Sequence, residues 1–137
     1  MIVTYIPASL RRQVEERANF CCEYCLLSQA VSFYSHEVDH VIALKHGGQT
    51  NAENLAFACW RCNSHKGSDL GSFDPDTGEF SFLFHPRTQV WAEHFEIEEA
   101  GSIRGLTPEG RTTAKLLQFN NEERLAERRR AARFNRQ

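Results

Sequence analysis

Four cysteines stand in two pairs whose spacing is typical of a metal site. Cys22 and Cys25 enclose two residues, as do Cys59 and Cys62, and 33 residues lie between the pairs. Each pair can bring two thiolates from one tight knuckle onto the same ion, so the set predicts a structural Zn²⁺ site of tetrahedral geometry. Cys21 makes the count odd, which argues against a disulfide framework. The alternatives are buried cysteines without a metal, with one redox pair among them, and a first knuckle that uses Cys21 in place of Cys22.

A second group of polar residues suits metal-assisted hydrolysis. Asp39 and His40 are adjacent at the end of an apolar segment, Asn54 follows in a polar loop, and Asn63 comes directly after the second cysteine pair. The oxygens of Asp39 and Asn63 are hard ligands for Mg²⁺ or a similar divalent ion, which keeps open positions for phosphate oxygens and water. His40 can act as general base on the attacking water, because imidazole titrates near neutral pH. Asn54 does not titrate and is predicted to hold His40 in orientation.

The elements that must position these groups follow from local patterns. Residues 9–19 are predicted as a helix because apolar side chains recur on one face, with Ser9 as its N-cap. Residues 31–38 are rich in β-forming residues and are predicted to carry strand structure into residues 39–42. Lys45–Gly48 has the composition of a turn.

The second cysteine pair is approached and left through short elements. Residues 51–54 are predicted to continue the loop or to form a short helical turn. Residues 55–58 lead into the second pair, and a short helix is predicted from Asn63.

Beyond residue 68 the pattern changes. Residues 74–78 predict a turn, and residues 79–84 predict a strand with Phe80, Phe82 and Phe84 on one face. We expect this phenylalanine stripe to face the core rather than to stack on nucleic-acid bases.

The remaining segments carry helix signals. Residues 91–97 fit a strand and a short helix equally well. Thr107 and Pro108 predict a helix start, with Thr as N-cap and Pro in the first helical position. Asn120 and Glu123 are spaced as in a capping box and predict a final helix that carries arginines.

Composition excludes several classes of protein. The 137 residues are 41% hydrophobic and 25% charged, which fits a single domain over residues 1–137 and excludes wholesale disorder. The longest apolar run, residues 55–60, is far shorter than a membrane span. The N-terminus lacks the basic and apolar regions of a signal peptide. A cytoplasmic location without a membrane partner is therefore expected.

Charge is unevenly distributed although the net charge is only −2. Residues 69–99 contain eight acidic residues and one basic residue, whereas residues 124–137 contain six arginines and one acidic residue. Such asymmetry favours a surface that faces nucleic acid.

Residues 20–68 resemble the zinc-containing HNH endonucleases, which have a ββα-metal (His-Me finger) active site. The resemblance rests on CEYC followed by EVDHVIALKHGGQTNAENLAFACWRCNSHKG, that is, on CxxC, Asp-His, Gly-Gly, Asn-Leu, CxxCN and Lys-Gly in this order. It implies an α+β fold in which a four-cysteine zinc site staples the ββα-metal core, with flanking N- and C-terminal helices and a short β segment. It divides the chain into an HNH nuclease core over 20–68 and a C-terminal extension over 69–137, to which it assigns no role.

The resemblance also implies a role for each matching residue. His40 corresponds to the general base, Asp39 to a ligand of the catalytic metal and Asn54 to the residue that positions the base. Asn63 stands where the family often has a final histidine, which makes this the HNN variant with an amide oxygen as metal ligand. The structural zinc would be held by Cys22, Cys25, Cys59 and Cys62.

Two residues near the end of the motif are predicted to bind substrate. Lys66 matches a closing lysine that helps to neutralise phosphate, and His65 is expected to act as an auxiliary ligand or phosphate contact. His36 and His46 are expected to be solvated loop side chains.

These features together predict a metal-dependent endonuclease that hydrolyses phosphodiester bonds in DNA, with structural Zn²⁺ and catalytic Mg²⁺ or another divalent cation. The alternative is a zinc-stabilised nucleic-acid-binding module without turnover. The nucleic acid is expected to be DNA, although RNA remains open, as do the preferred substrate structure and the oligomeric state.

Overall fold

The structure is a computed structural model that describes residues 5–135. Residues 1–4, which were considered above for a signal peptide, and Arg136, one of the C-terminal arginines, lie outside the described residues. The elements in chain order are α1 (Ala8–Arg17), β1 (Glu37–His40), β2 (Leu55–Ala58), α2 (Trp60–Lys66), β3 (Gly71–Phe73), β4 (Phe80–Phe82), α3 (Trp91–His94), β5 (Phe95–Ile97), β6 (Ile103–Gly105), α4 (Pro108–Leu116) and α5 (Glu122–Asn135).

The fold is α+β, as predicted, and its centre is the ββα unit made by β1, β2 and α2. β1 and β2 are antiparallel, with Asp39 opposite Ala56 and His40 opposite Leu55. α2 begins at Trp60, three residues earlier than predicted. The reason is that the sulfur of Cys59 caps the helix by accepting a hydrogen bond from the backbone N–H of Cys62.

The prediction of a strand over residues 31–38 is wrong for most of that range. A 3₁₀ turn spans Gln29–Val31, and strand structure starts only at Glu37. The backbone N–H of His36 donates to the side chain of Gln29 rather than to a neighbouring strand. The His36 ring is buried against Phe57, with Nε2 2.8 Å from the carbonyl oxygen of Leu27, so its prediction as a solvated side chain is also wrong.

The loop after β1 contains two 3₁₀ turns. Leu44–His46 forms the first and ends at Gly47, whose positive φ of 89° favours glycine. His46 is exposed, as predicted. Ala52–Asn54 forms the second, which is the short helical turn that was one of the two predicted alternatives.

The N-terminal helix packs against the ββα unit. Pro7, not Ser9, occupies the N-cap position of α1, and its carbonyl oxygen accepts from the first free backbone N–H groups. Val14 is fully buried in a cluster with Leu55 and Phe57 of β2. The predicted helix is therefore confirmed, and the predicted cap is wrong.

The phenylalanine stripe divides between core and surface. Phe84 is buried as predicted, but Phe80 and Phe82 of β4 are exposed, as is Phe73 opposite Phe80 on β3. β3 and β4 form a two-stranded sheet, and the chain passes into the core only after β4 ends. The prediction that the whole stripe faces the core is therefore wrong for Phe80 and Phe82.

Residues 91–97 contain both structures that the sequence allowed, because α3 is followed directly by β5. Thr107 caps α4 as predicted, with its hydroxyl oxygen accepting from the backbone N–H of Gly110 at 3.1 Å.

The predicted cap of the final helix is wrong by one residue. The side-chain oxygen of Asn121 accepts from the backbone N–H of Arg124 at 3.0 Å. Asn120 instead bonds both the N–H and the carbonyl oxygen of Ile103, which ties the loop before α5 to β6.

The C-terminal extension completes the core around the cysteines. One buried cluster joins the two cysteine pairs to side chains that follow β4, lie in β5 and β6, and follow α4, namely Phe84, Phe95, Ile103, Leu117 and Phe119. Within residues 5–135, no helix is both long enough and apolar enough to cross a membrane.

Candidate metal centre and active site

The four cysteine sulfurs converge in the interior. The Sγ atoms of Cys22, Cys25, Cys59 and Cys62 all lie within 4.8 Å of one another, and all four residues are buried. The Cys25 and Cys59 sulfurs are 3.7 Å apart. A tetrahedral ion with Zn–S bonds of about 2.3 Å requires sulfurs about 3.8 Å apart, so the set fits Zn²⁺.

The electrostatics of the cluster also favour a bound cation. Burial raises the pKa of the Cys22 and Cys62 thiols well above their ordinary value. Hydrogen bonds from neighbouring cysteines, Cys22 first, lower the pKa of Cys25 and Cys59. Four thiolates can therefore coexist in this interior only with a compensating positive charge.

Arg124 of α5 brings such a charge from the extension. Its side chain is only 2% exposed, and Nη2 lies 3.0 Å from the Cys62 sulfur and 3.6 Å from the Cys59 sulfur. The other end of the guanidinium group donates to the carbonyl oxygen of Leu117. Burial disfavours the charge, but the thiolates, Cys62 first, together raise the pKa of Arg124.

A second arginine joins α2 to α5 at the edge of this cluster. Nη1 of Arg61 lies 2.7 Å from Oε2 of Glu123, and Nε of Arg61 lies 3.1 Å from Oε1 of Glu127. α5 is therefore connected to the cysteine cluster and to α2 by both buried and surface contacts. No local pattern in the sequence marks Arg124, which is one arginine among several in an arginine-rich helix.

His40 lies at the end of β1, next to the loop that returns to β2. Its Nε2 is 2.8 Å from the hydroxyl oxygen of Thr50. Thr50 was not recognised from the sequence, although a hydroxyl residue in the short loop between the motif histidine and Asn54 is a signal that could have found it. This contact engages one nitrogen of the imidazole, and no hydrogen bond among residues 5–135 engages Nδ1.

Asn54 closes the loop that follows His40. Its amide nitrogen donates to the carbonyl oxygens of Ile42 and Gln49, each at 2.9 Å, and its oxygen accepts from the N–H of Ile42 at 2.9 Å. Gly48 allows this closure, because a Cβ there would lie 1.8 Å from the Ile42 carbonyl oxygen. Asn54 therefore holds the backbone two residues beyond His40.

Lys66 is committed to the interior of the site. Its ammonium lies 3.1 Å from Asp39 Oδ2 and 3.1 Å from the His40 carbonyl oxygen, and the side chain is 2% exposed. Burial raises the pKa of Asp39, and the charge of Lys66 opposes this shift. The ammonium is thus engaged by Asp39 and the backbone, and the role of Lys66 in neutralising phosphate stays a prediction.

Asn63 and His65 lie on different faces of α2. Asn63 precedes Lys66 by three residues and shares its face of the helix, and no hydrogen bond within residues 5–135 engages the Asn63 side chain. Its oxygen is therefore free to act as a ligand. Burial, followed by the charges of Arg124 and Arg61, lowers the pKa of His65. His65 is thus grouped with the arginines near the zinc cluster.

Comparison with known proteins yields two matches. Residues 22–69 match the model of the HNH endonuclease family. A stretch of 59 residues is 39% identical to the CRISPR-associated endonuclease Cas9 of Corynebacterium diphtheriae, and it covers 42% of this chain but only 5% of that protein. No solved structure matches the chain significantly. The matched residues include β1, β2, α2 and both cysteine pairs.

Proposed function

Residues 22–69 form an HNH endonuclease domain, and from this premise we propose that the chain is a metal-dependent endonuclease that hydrolyses phosphodiester bonds in DNA. The observation that carries the proposal is the grouping of a fixed imidazole, His40, with Asp39 and Asn54 on a ββα unit beside a four-cysteine cluster. A protein that only bound nucleic acid would not require this set of hydrolytic groups.

His40 acts as the general base in this proposal. Its Nε2 lies 2.8 Å from the Thr50 hydroxyl oxygen. In the tautomer in which Nε2–H donates to that hydroxyl, Nδ1 carries no proton and would accept one from the attacking water. The Asn54 clamp holds the following backbone, which keeps the imidazole aligned while the proton moves.

Asp39 and Asn63 would hold the catalytic cation. Asp39 on β1 is bonded by Lys66, which shares its face of α2 with Asn63, so the two oxygen-bearing side chains belong to the same side of the ββα unit. A divalent cation such as Mg²⁺ bound there would stabilise the charge that develops on the leaving 3′-oxygen. Lys66 supports the site by keeping the Asp39 carboxylate ionised despite its burial.

The test is plasmid cleavage by the zinc-loaded chain in EDTA, Mg²⁺, Mn²⁺ and Ni²⁺. We expect nicking that requires a divalent cation and falls by about 10²- to 10⁴-fold in His40→Ala, as for loss of a general base. His46→Ala is the matched control, since His46 is an exposed histidine in the same loop, and it should cleave like the unsubstituted chain.

Two results would count against the proposal. Equal cleavage by His40→Ala and His46→Ala would remove the base assignment. Folded, zinc-loaded chain that binds DNA without cutting it under any cation would instead support a zinc-stabilised nucleic-acid-binding module.

A further inference from the structure

A cavity of about 300 Å³ opens directly beside the candidate active site. One wall is made by Val41 and Ile42, which follow His40, and by Lys66, which bonds Asp39. The rest of the lining comes from the C-terminal extension and includes the aromatic and aliphatic side chains of Phe82, Leu83 and Phe84. The cavity therefore joins the HNH domain to the segment that the family resemblance leaves without a role.

We propose that this cavity binds one unpaired nucleobase of the substrate strand, adjacent to the phosphate that is cleaved. The inference rests on the proposed endonuclease function and adds to it a substrate class, nucleic acid with an unpaired base at the cleavage site. Its size falls at the lower end of the range for small-molecule pockets, as suits a single ring system with its sugar.

The walls offer an aromatic ring for stacking. Phe82 is 66% exposed although it lines the cavity, so one face of the ring is accessible. An edge-to-face contact with Phe80, at 5.7 Å between ring centroids, orients it. Gly71 makes room for the Phe80 ring, because a Cβ at Gly71 would lie 2.5 Å from its Cζ. Stacking on such a ring is available to every base.

The charged residues that line the cavity favour an uncharged base over a phosphate group. The ammonium of Lys66 is already paired with Asp39, and Asp69 and Glu109 add negative charge to the walls. Carboxylates repel a phosphodiester group but accept hydrogen bonds from the amino groups of bases. An uncharged ring therefore fits this cavity better than the backbone that carries it.

His85 and Gln89, which also line the cavity, supply hydrogen-bond donors. Nδ1 of His85 accepts from the backbone N–H of Arg87 at 3.1 Å, so the proton of the neutral ring lies on Nε2. Burial, reinforced by Arg87, lowers the pKa of His85 and favours this neutral form. The side-chain oxygen of Gln89 accepts from the backbone N–H of His85 at 2.8 Å, so the amide N–H groups of Gln89 remain for a ligand. The residues that line the cavity thus offer both donors and acceptors for a base edge.

The experiment uses short single-stranded DNA that contains one 2-aminopurine, moved along the sequence in a set of oligonucleotides. The full chain with His40→Ala is titrated into each one, so that binding is measured without cleavage. We expect fluorescence quenching at one or a few adjacent positions, since stacking quenches this base. Phe82→Ala should weaken binding about 5- to 100-fold, the range for loss of one stacking contact.

Phe73→Ala is the matched control, because Phe73 lies on the same hairpin, is 64% exposed and does not line the cavity. Equal effects of Phe82→Ala and Phe73→Ala, or no quenching in an oligonucleotide that is bound, would overturn the inference. Unchanged binding by Phe82→Ala would also overturn it, because the base would then not stack on this ring.

Cleavage of the same oligonucleotides by the chain with His40 intact is measured in parallel. Cleavage without quenching would keep the nuclease and remove the base site. Localised quenching without cleavage would keep the base site and remove the nuclease.

Discussion

Replacement of Arg124 by methionine should weaken zinc binding about 10- to 100-fold, the range for loss of a group that bonds a metal ligand. Methionine keeps the length of the buried side chain but removes the donors that face Cys62 and Cys59. A 10- to 100-fold loss corresponds to about 1.4–2.7 kcal/mol. This equals the worth of one hydrogen bond to a charged group, about 1.5–3 kcal/mol. We therefore assign most of the effect to the 3.0 Å contact with Cys62.

The assay is competition for Zn²⁺ against a chromophoric chelator, with far-UV circular dichroism as a check on folding. Substitution of Co²⁺ gives a second readout, because loss of an N–H···S hydrogen bond should shift the thiolate-to-metal absorption band to lower energy. The zinc affinity of Arg124→Lys should fall between those of the unsubstituted chain and Arg124→Met, since lysine keeps the charge but not the forked geometry.

Arg130→Met is the matched control for this experiment. Arg130 lies on the same helix and is exposed, so its loss should leave zinc affinity unchanged. The reasoning is refuted if Arg124→Met and Arg130→Met bind zinc equally well, because a buried guanidinium 3.0 Å from a ligand would then contribute nothing to it.

Further predictions concern the active-site loop and the extension. Thr50→Val should lower kcat roughly 10-fold across the pH profile of cleavage and leave KM unchanged, because His40 loses the hydroxyl contact that holds its ring; an unchanged kcat would contradict this. Gly48→Ala should destabilise the chain by about 1–3 kcal/mol in urea unfolding, because the added Cβ overlaps a backbone carbonyl group. The hydrogen bonds from Arg111 lower the pKa of Asp74 to about 2. The ionised carboxylate therefore stabilises the fold fully at any pH above the ordinary pKa of an aspartate, and this stabilisation is lost as the pH falls toward 2. The stability lost in Arg111→Met should therefore be constant between about pH 6 and 8, and a cost that fades within that window would show that the pair is not ionised as described.

The features that the sequence predicted well are those set by neighbouring residues. The cysteine pairs each depend on a spacing of three, and Asp39 and His40 are adjacent at the end of one strand. The cap at Thr107 likewise needs only the three residues that follow it. Local geometry decides such features, so the residue types alone predict them.

The features that were missed depend on partners distant in sequence. Arg124 and Cys62 are 62 residues apart, and no local pattern marks that arginine among its neighbours. Phe82 and Phe84 are two positions apart, as residues on one face of a strand are. Only the packing of the remaining chain exposes Phe82 and buries Phe84. His36 likewise is buried because Phe57 of another strand covers its ring.

The contact between α5 and the cysteine cluster also bears on how the chain is made. All four cysteines precede residue 63, whereas Leu117, Phe119 and Arg124, which pack against them, are synthesised much later. On the ribosome, the knuckles emerge before the residues that cover them, so the nascent chain can capture zinc early but shields the thiolates only at the end. Oxidants and competing metals should therefore act on the protein mainly during synthesis, and far less once α5 has docked.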